Sequence, residues 1–150
     1  MKTAFVALAF LAVVACASAT NSSAVTSWSN CGESSWHATN LQVTITPSNP
    51  QPGDAYTYTA DYDLDETITA GKEQVEITLR GIPVSQKTSD LCSALANTDT
   101  PCPIQKGHVH SVTKGTVPAG TPSGTLSAKA KWTDQNNEPV LCIDLTFNIN

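Results

Sequence analysis

Apolar and polar residues alternate with a period of two through most of this chain. Leu41, Val43 and Ile45 alternate with Gln42 and Thr44, and Pro47 ends the run. Tyr56, Tyr58, Ala60, Tyr62 and Leu64 form one face of a long second run, backed by Thr57, Thr59, Asp61 and Asp63. Val75, Ile77 and Leu79 alternate with Gln74, Glu76, Thr78 and Arg80. A weaker run spans Val109 to Val117. Leu126, Ala128, Ala130 and Trp132 then oppose Ser127, Lys129 and Lys131, and Leu141, Ile143, Leu145, Phe147 and Ile149 close the chain. Such alternation predicts half-buried, mostly antiparallel strands.

Turn signals separate the runs: Asn49-Pro50-Gln51-Pro52-Gly53, Gly81-Ile82-Pro83, Pro118-Ala119-Gly120, Pro122-Ser123-Gly124 and Asp134-Gln135-Asn136-Asn137. Six or more strands at this spacing predict an all-β sandwich or barrel. The helical expectation is confined to a turn around Ser89 to Leu95. In the last run Cys142 faces away from Leu141 and Ile143, which leaves open which of its faces points inward.

The first residues follow other rules. Lys2, the apolar run Ala4 to Ala15 and the small residues Ala17-Ser18-Ala19 read as a secretory signal over residues 1–19. Val13-Val14-Ala15-Cys16 is also compatible with a bacterial lipobox, which would lipidate Cys16. A membrane span needs ~20 apolar residues, and this run is shorter. Residues 20–30 are rich in Ser, Thr and Asn and read as a loose leader, with a glycosylation sequon at Asn21. Residues 31–150 then form one domain.

Cleavage after Ala19 would remove Lys2 and leave seven basic residues against thirteen acidic ones. No basic cluster remains, which argues against a nucleic-acid partner. Loss of Cys16 leaves Cys31, Cys92, Cys102 and Cys142, an even number suited to disulfides in an oxidising compartment. Of three pairings the nested one, Cys31–Cys142 with Cys92–Cys102, is preferred. The longer bridge closes a loop worth ~4–5 kcal/mol in chain entropy, and the shorter staples a local excursion.

Candidate chemistry is sparse. His108 and His110 put two rings on one face of a strand, but the sequence nominates no third metal ligand. His37 stands alone in sequence. Asp61, Asp63, Asp65 and Glu66 resemble a calcium loop loosely and lack its glycine. No Cys-x-x-Cys and no nucleophile-elbow, Walker or Rossmann signature is present. No catalytic residue, metal or cofactor is expected. Beyond the signal, Phe147 is the single Phe and there is no Met. Two sheets faced with medium-sized side chains can leave the ~10 Å gap between them underfilled.

The cysteines and their neighbours form an ordered set. It comprises Asn30-Cys31-Gly32, Pro47 and Pro50 before Pro52-Gly53, and Gly81-Ile82-Pro83-Val84. Asp90-Leu91-Cys92, Cys102-Pro103-Ile104-Gln105-Lys106-Gly107, Trp132-Thr133-Asp134 and Cys142 follow. This set, over residues 30–149, resembles the ML lipid-recognition family, which includes the Niemann–Pick type C sterol carrier and phosphatidylglycerol/phosphatidylinositol transfer proteins. The resemblance implies an immunoglobulin-like β-sandwich of two antiparallel sheets with an internal apolar cavity, and the same nested disulfides.

It further implies a non-enzymatic lipid carrier, secreted or in the lumen of an endosome, lysosome or vacuole. Such a carrier would hold a sterol or a phospholipid between its sheets and exchange it between membranes. Alternate strand residues would wall the cavity: Val43, Ile45, Tyr56, Tyr58, Tyr62, Val75, Ile77, Leu79, Val109, Val112, Leu126, Trp132, Leu145 and Phe147. The resemblance places the mouth between Ile82, Pro83 and Val84 on one side and Val117 and Pro118 on the other. The expected protein is a monomer that touches membranes transiently, and a membrane-bound sterol transporter is a further partner the resemblance admits. The alternative function is a secreted recognition or adhesion sandwich with a packed core and no cargo.

Overall fold

The computed structural model describes residues 26–150. The predicted signal segment, the Cys16 alternative and the Asn21 sequon lie outside the described residues. The strands are β1 (Ser27–Asn30), β2 (Ala38–Thr46), β3 (Ala55–Leu64), β4 (Lys72–Leu79), β5 (Ile82–Asp90), β6 (Gly107–Thr116), β7 (Gly124–Thr133) and β8 (Pro139–Ile149). One short helix, α1 (Leu91–Leu95), follows β5. The strands form a five-stranded sheet in the order β1-β8-β7-β4-β5 and a three-stranded sheet in the order β2-β3-β6. Among the described residues, neighbouring strands in both sheets run antiparallel.

The inward faces follow the alternation. Leu41 and Val43 of β2, Ala60, Tyr62 and Leu64 of β3, Val109 of β6 and Leu141 and Ile143 of β8 are buried in one core, with Ile68, Leu91, Leu95 and Ile104. A second, smaller cluster of Val117, Phe147 and Ile149 sits at the end where β3 begins and β8 finishes. Tyr56 tilts against Phe147 there, with ring centroids 5.9 Å apart.

Both disulfides form as the nested pairing requires, Cys31–Cys142 and Cys92–Cys102. Leu141 and Ile143 do point inward. Cys142 is buried too, because its bridge to Cys31 covers the other face of β8, beside Trp36 and the Lys131 ammonium stacked over its ring at 5.1 Å.

Three expectations are corrected. The leader is not loose throughout: Ser27–Asn30 pairs with β8, setting Trp28 opposite Leu145. Ile82 and Pro83 are strand residues rather than a turn. Leu79 pairs directly with Ile82, so the turn is Arg80-Gly81, with φ of 52° and 78°. Two consecutive positive φ values belong to the hairpin turn whose twist matches its strands. Arg80 anchors that turn by donating from Nε and Nη2 to the Ser123 carbonyl, at 3.0 and 2.6 Å. Finally, β5 as a whole escapes the alternation rule. It is a sheet edge whose residues are nearly all exposed, so its polar run Ser-Gln-Lys-Thr-Ser carries no burial signal. Pro83 is tolerated there because an edge strand can lack one ladder donor.

Candidate functional site

An apolar cavity of about 330 Å³ lies between the sheets. Tyr56 and Tyr58 of β3 and Thr113 of β6 form one side. Val75 and Glu73 of β4, Ala128, Ala130 and Trp132 of β7, and Leu141, Ile143 and Leu145 of β8 form the other. The space traces to two residues. Ala130 pairs with Val75 and Ile143, and Ala128 with Ile77 and Leu145, so the middle of the larger sheet is recessed between Leu126 and Trp132. Gly115 does related work opposite. A methyl group there would come within 2.5 Å of the Tyr56 ring, so its absence lets that ring lie on β6. Burial raises the phenol of Tyr56 above its usual range and those of Tyr58 and Tyr62 well above it, so all three stay neutral.

The α1 segment supplies a further wall. Asp90 caps α1 by accepting from the Ser93 amide at 2.7 Å, and Leu91 and Leu95 anchor it in the core. The Cys92–Cys102 bridge ties down the following loop. Asp99 in that loop accepts from the Val112 amide at 2.8 and 3.0 Å, fastening it to β6. Ala94, Leu95 and Thr98 thereby reach the cavity.

Polar chemistry is concentrated at one side. The Glu73 carboxylate accepts from the Trp132 indole at 3.1 Å. Glu73, Val75 and Ala94 also line a second, adjoining space of about 440 Å³, together with Ile77, Ser85, Lys87, Ser89 and Ser93. Register explains this set: Ser85, Lys87 and Ser89 stand beside Ile77, Val75 and Glu73 on the same face of the β4–β5 pair.

Of the predicted wall residues, Tyr56, Tyr58, Val75, Trp132 and Leu145 line the main cavity, and Ile77 lines the adjoining space. Val43, Tyr62 and Val109 are buried core, and Ile45 packs against both clusters. Leu79 is half-buried at the far end of β4, and Leu126 and Phe147 belong to the smaller cluster. Val112 is a correction. An odd spacing from Val109 sends it to the outer face, beside Thr59.

The residues of the predicted mouth lie away from this cavity. Val117 is buried in the smaller cluster, held by its amide to Asp54 and its carbonyl to Gly53. Ile82 and Val84 are 67% and 57% exposed, and neither they nor Pro83 or Pro118 line the cavity. The polar groups beside the cavity lie instead on the α1 side, over one face of the β4–β5 pair. Sequence reasoning missed Glu73, Ala94, Leu95, Thr98, Thr113, Leu141 and Ile143 as lining, and did not nominate Ala128 and Ala130. Two consecutive small residues on one inward face were the available signal.

The histidines of β6 are absorbed by the sheet. His108 pairs with Asp63 at 2.9 Å and His110 with Asp61 at 2.6 Å, each directly across the ladder. The acidic cluster thus divides, Asp61 and Asp63 serving the outer face of β3.

A sequence profile of the ML domain matches residues 25–149, nearly the whole described chain. The chain belongs to the ML-domain family. This is a family of non-enzymatic domains. One relative, a putative phosphatidylglycerol/phosphatidylinositol transfer protein of Dictyostelium discoideum, is 31% identical over 81% of this chain and 85% of its own length. A phosphatidylglycerol/phosphatidylinositol transfer protein of Candida albicans is 32% identical over 71% of this chain and 56% of its own. Among solved structures, chicken MD-1 complexed with lipid IVa superposes with a TM-score of 0.64 at 18% identity, over 82% of this chain and 88% of that one. A Niemann–Pick type C2 protein from the Japanese carpenter ant gives 0.63 at 13% identity, over 83% and 99%. These two likenesses establish that the ML domain here has their immunoglobulin-like sandwich fold.

Proposed function

We propose that this ML domain is a lipid carrier of the phospholipid-transfer type. The observation that carries the reading is the apolar space between the sheets, joined on one side to a space lined by Lys87, Ser85, Ser89, Ser93 and Glu73. An acyl chain leaves water at ~0.8 kcal/mol per buried CH₂. A volume of about 330 Å³ lies at the lower end of small-molecule sites, so a long chain fits by extending toward the adjoining space. The Lys87 ammonium suits a phosphate as a point charge. The serine hydroxyls and the Glu73 carboxylate can accept from the hydroxyls of a glycerol or inositol head. The names of the two transfer-protein relatives support the same cargo. Exchange between membranes requires transient membrane contact. The two disulfides support a secreted or lumenal compartment.

The test is direct. Protein purified from a eukaryotic host is extracted with organic solvent, and bound lipid is identified by mass spectrometry. Displacement of fluorescent phosphatidylinositol, phosphatidylcholine and sterol is then measured. Bound phospholipid is expected, with Lys87→Ala weakening phosphatidylinositol about tenfold, the equivalent of one charge-assisted hydrogen bond. Sterol displacing every phospholipid would replace this cargo. No lipid and no displacement would leave the adhesion reading.

A further inference from the structure

The described residues contain a second cluster of chemistry, apart from the cavity lining. His37 precedes β2, Asp65 and Glu66 follow β3, and Asp134 follows β7. One ligand atom from each of His37, Glu66 and Asp134 lies within 4.8 Å of the others. Asp134 is 2% exposed, and the other two are partly buried.

The imidazole distinguishes this group from an ordinary acidic patch. Its Nδ1 is engaged by Asp65 Oδ1 at 2.7 Å. That contact holds a proton on Nδ1, and Nε2 lies 3.6 Å from Glu66 Oε1, where it becomes a ligand when a cation displaces its proton. A carboxylate holding the far nitrogen of a ligating histidine is the usual supporting arrangement around a protein-bound metal. Glu66 shares a side-chain hydrogen bond with the Asp134 carboxyl, and Gln135 Nε2 and His37 Nε2 face its Oε1 from 3.4 and 3.6 Å. Asp134 closes the β7–β8 turn through Oδ1, which accepts from the Asn136 and Glu138 amides at 2.8 and 2.7 Å. Its Oδ2 accepts from Asn136 Nδ2 at 3.1 Å, and the carboxyl also hydrogen-bonds to Glu66. Two carboxyl groups thus meet beside an imidazole nitrogen, and a cation would take the place of the proton they share. The ion pairs found among the described residues bring no lysine or arginine to this group.

We propose that His37 Nε2, Glu66 and Asp134 bind a divalent transition-metal cation of the zinc class, linking the two sheets at the end of the sandwich beside α1. Tetrahedral coordination with bonds of ~2.0–2.2 Å puts ligand atoms about 3.4 Å apart. The His37–Glu66 separation of 3.6 Å is already close to that. One imidazole and two carboxylates suit zinc, whereas calcium needs six to eight oxygens. Three protein ligands leave a fourth position for water. The sequence conceals the site because its ligands come from three distant segments, and His37 has no near partner in the chain.

Purified protein is stripped with EDTA, dialysed and titrated with Zn²⁺ by calorimetry, with bound metal counted by elemental analysis. Thermal unfolding is followed in parallel, because a cation that binds the folded state raises the melting temperature. One equivalent is expected, with a melting rise that EDTA reverses. His37→Asn and Glu66→Gln are expected to weaken binding at least tenfold and to abolish the rise. Asp65→Asn should weaken it about tenfold to a hundredfold while all three ligands remain. The double variant His108→Asn/His110→Asn should bind like the parent. Circular dichroism and urea midpoints in EDTA check that each variant is folded. Less than one equivalent in the parent, equal affinity in folded His37→Asn and Glu66→Gln, or binding that disappears with His108 and His110 overturns the proposal.

Discussion

Two alanines make the cavity testable at the scale of single residues. Ala128 and Ala130 face the gap between the sheets with large neighbours on either side. Ala130→Leu should therefore fill space rather than create a clash. In a closely packed core an added side chain of this kind costs ~1–3 kcal/mol. Here the urea midpoint should change by less than that range, while lipid displacement weakens at least tenfold. A large loss of stability with unchanged lipid binding would mean that the gap is ordinary core. The outer face of β3 and β6 gives a second prediction. The bond to Asp61 raises the His110 pKa above 6.5, and bonds from Asn40 and His108 lower that of Asp63 below 3.8. The His110 contribution is complete below the unfolded value of 6.5 and is lost as pH rises through the raised folded value. The Asp63 contribution is present above 3.8 and is lost as pH falls through its depressed value. This face should be most stable in the mildly acidic window between them. His110→Gln should flatten the decline in urea midpoint above that window and leave the acid limb unchanged.

The elements show which parts of this fold were legible. β2, β3, β4 and β7 each bury one face more than the other, and β8, though covered on both faces, keeps large apolar residues at every second position, so their period of two can be read directly from the chain. β5 buries almost nothing, and β1 is four residues whose Ser and Asn side chains give no contrast. Neither pattern separates a strand from a loop without its pairing partner. Val112 was misplaced because β6 keeps Val109, Ser111 and Thr113 inward, and a polar inward run hides the phase. The α1 loop matters more for the cavity than its length suggests. Removing its bridge with Cys92→Ala/Cys102→Ala should cost at most ~2.7 kcal/mol, the chain-entropy value for so short a loop. The helix and Asp99 would lose their common restraint, and the wall formed by Ala94, Leu95 and Thr98 would loosen. The off-rate of a bound fluorescent lipid should rise by a larger factor than the loss at the thermal midpoint implies. An off-rate equal to that of the parent would separate the loop from cargo retention.

At the scale of the whole molecule, the site was less legible than the fold. An inward valine or tyrosine has the same pattern whether it meets a facing side chain or a void. The difference depends on which strand lies opposite, and that is a property of both sheets together. Tyr62 and Tyr58 share one face of β3, yet Tyr62 is core and Tyr58 lines the cavity. Charge, by contrast, is a global property that the chain declares at once. Eight basic residues stand against thirteen acidic ones; Lys129 borders the cavity and Lys87 faces the adjoining space between β5 and α1. An anionic membrane should therefore repel the carrier as it approaches, even when the cargo is an anionic lipid. Repulsion between exposed charges reaches ~30 Å at 0.01 M salt and ~8 Å at physiological ionic strength. Transfer from donor vesicles should accordingly be slower into acceptors containing about one third phosphatidylserine than into neutral phosphatidylcholine at low salt. That difference should shrink as salt rises to physiological strength. Faster transfer into the anionic acceptors at low salt would mean that a local basic surface governs docking, against the sign of the whole molecule.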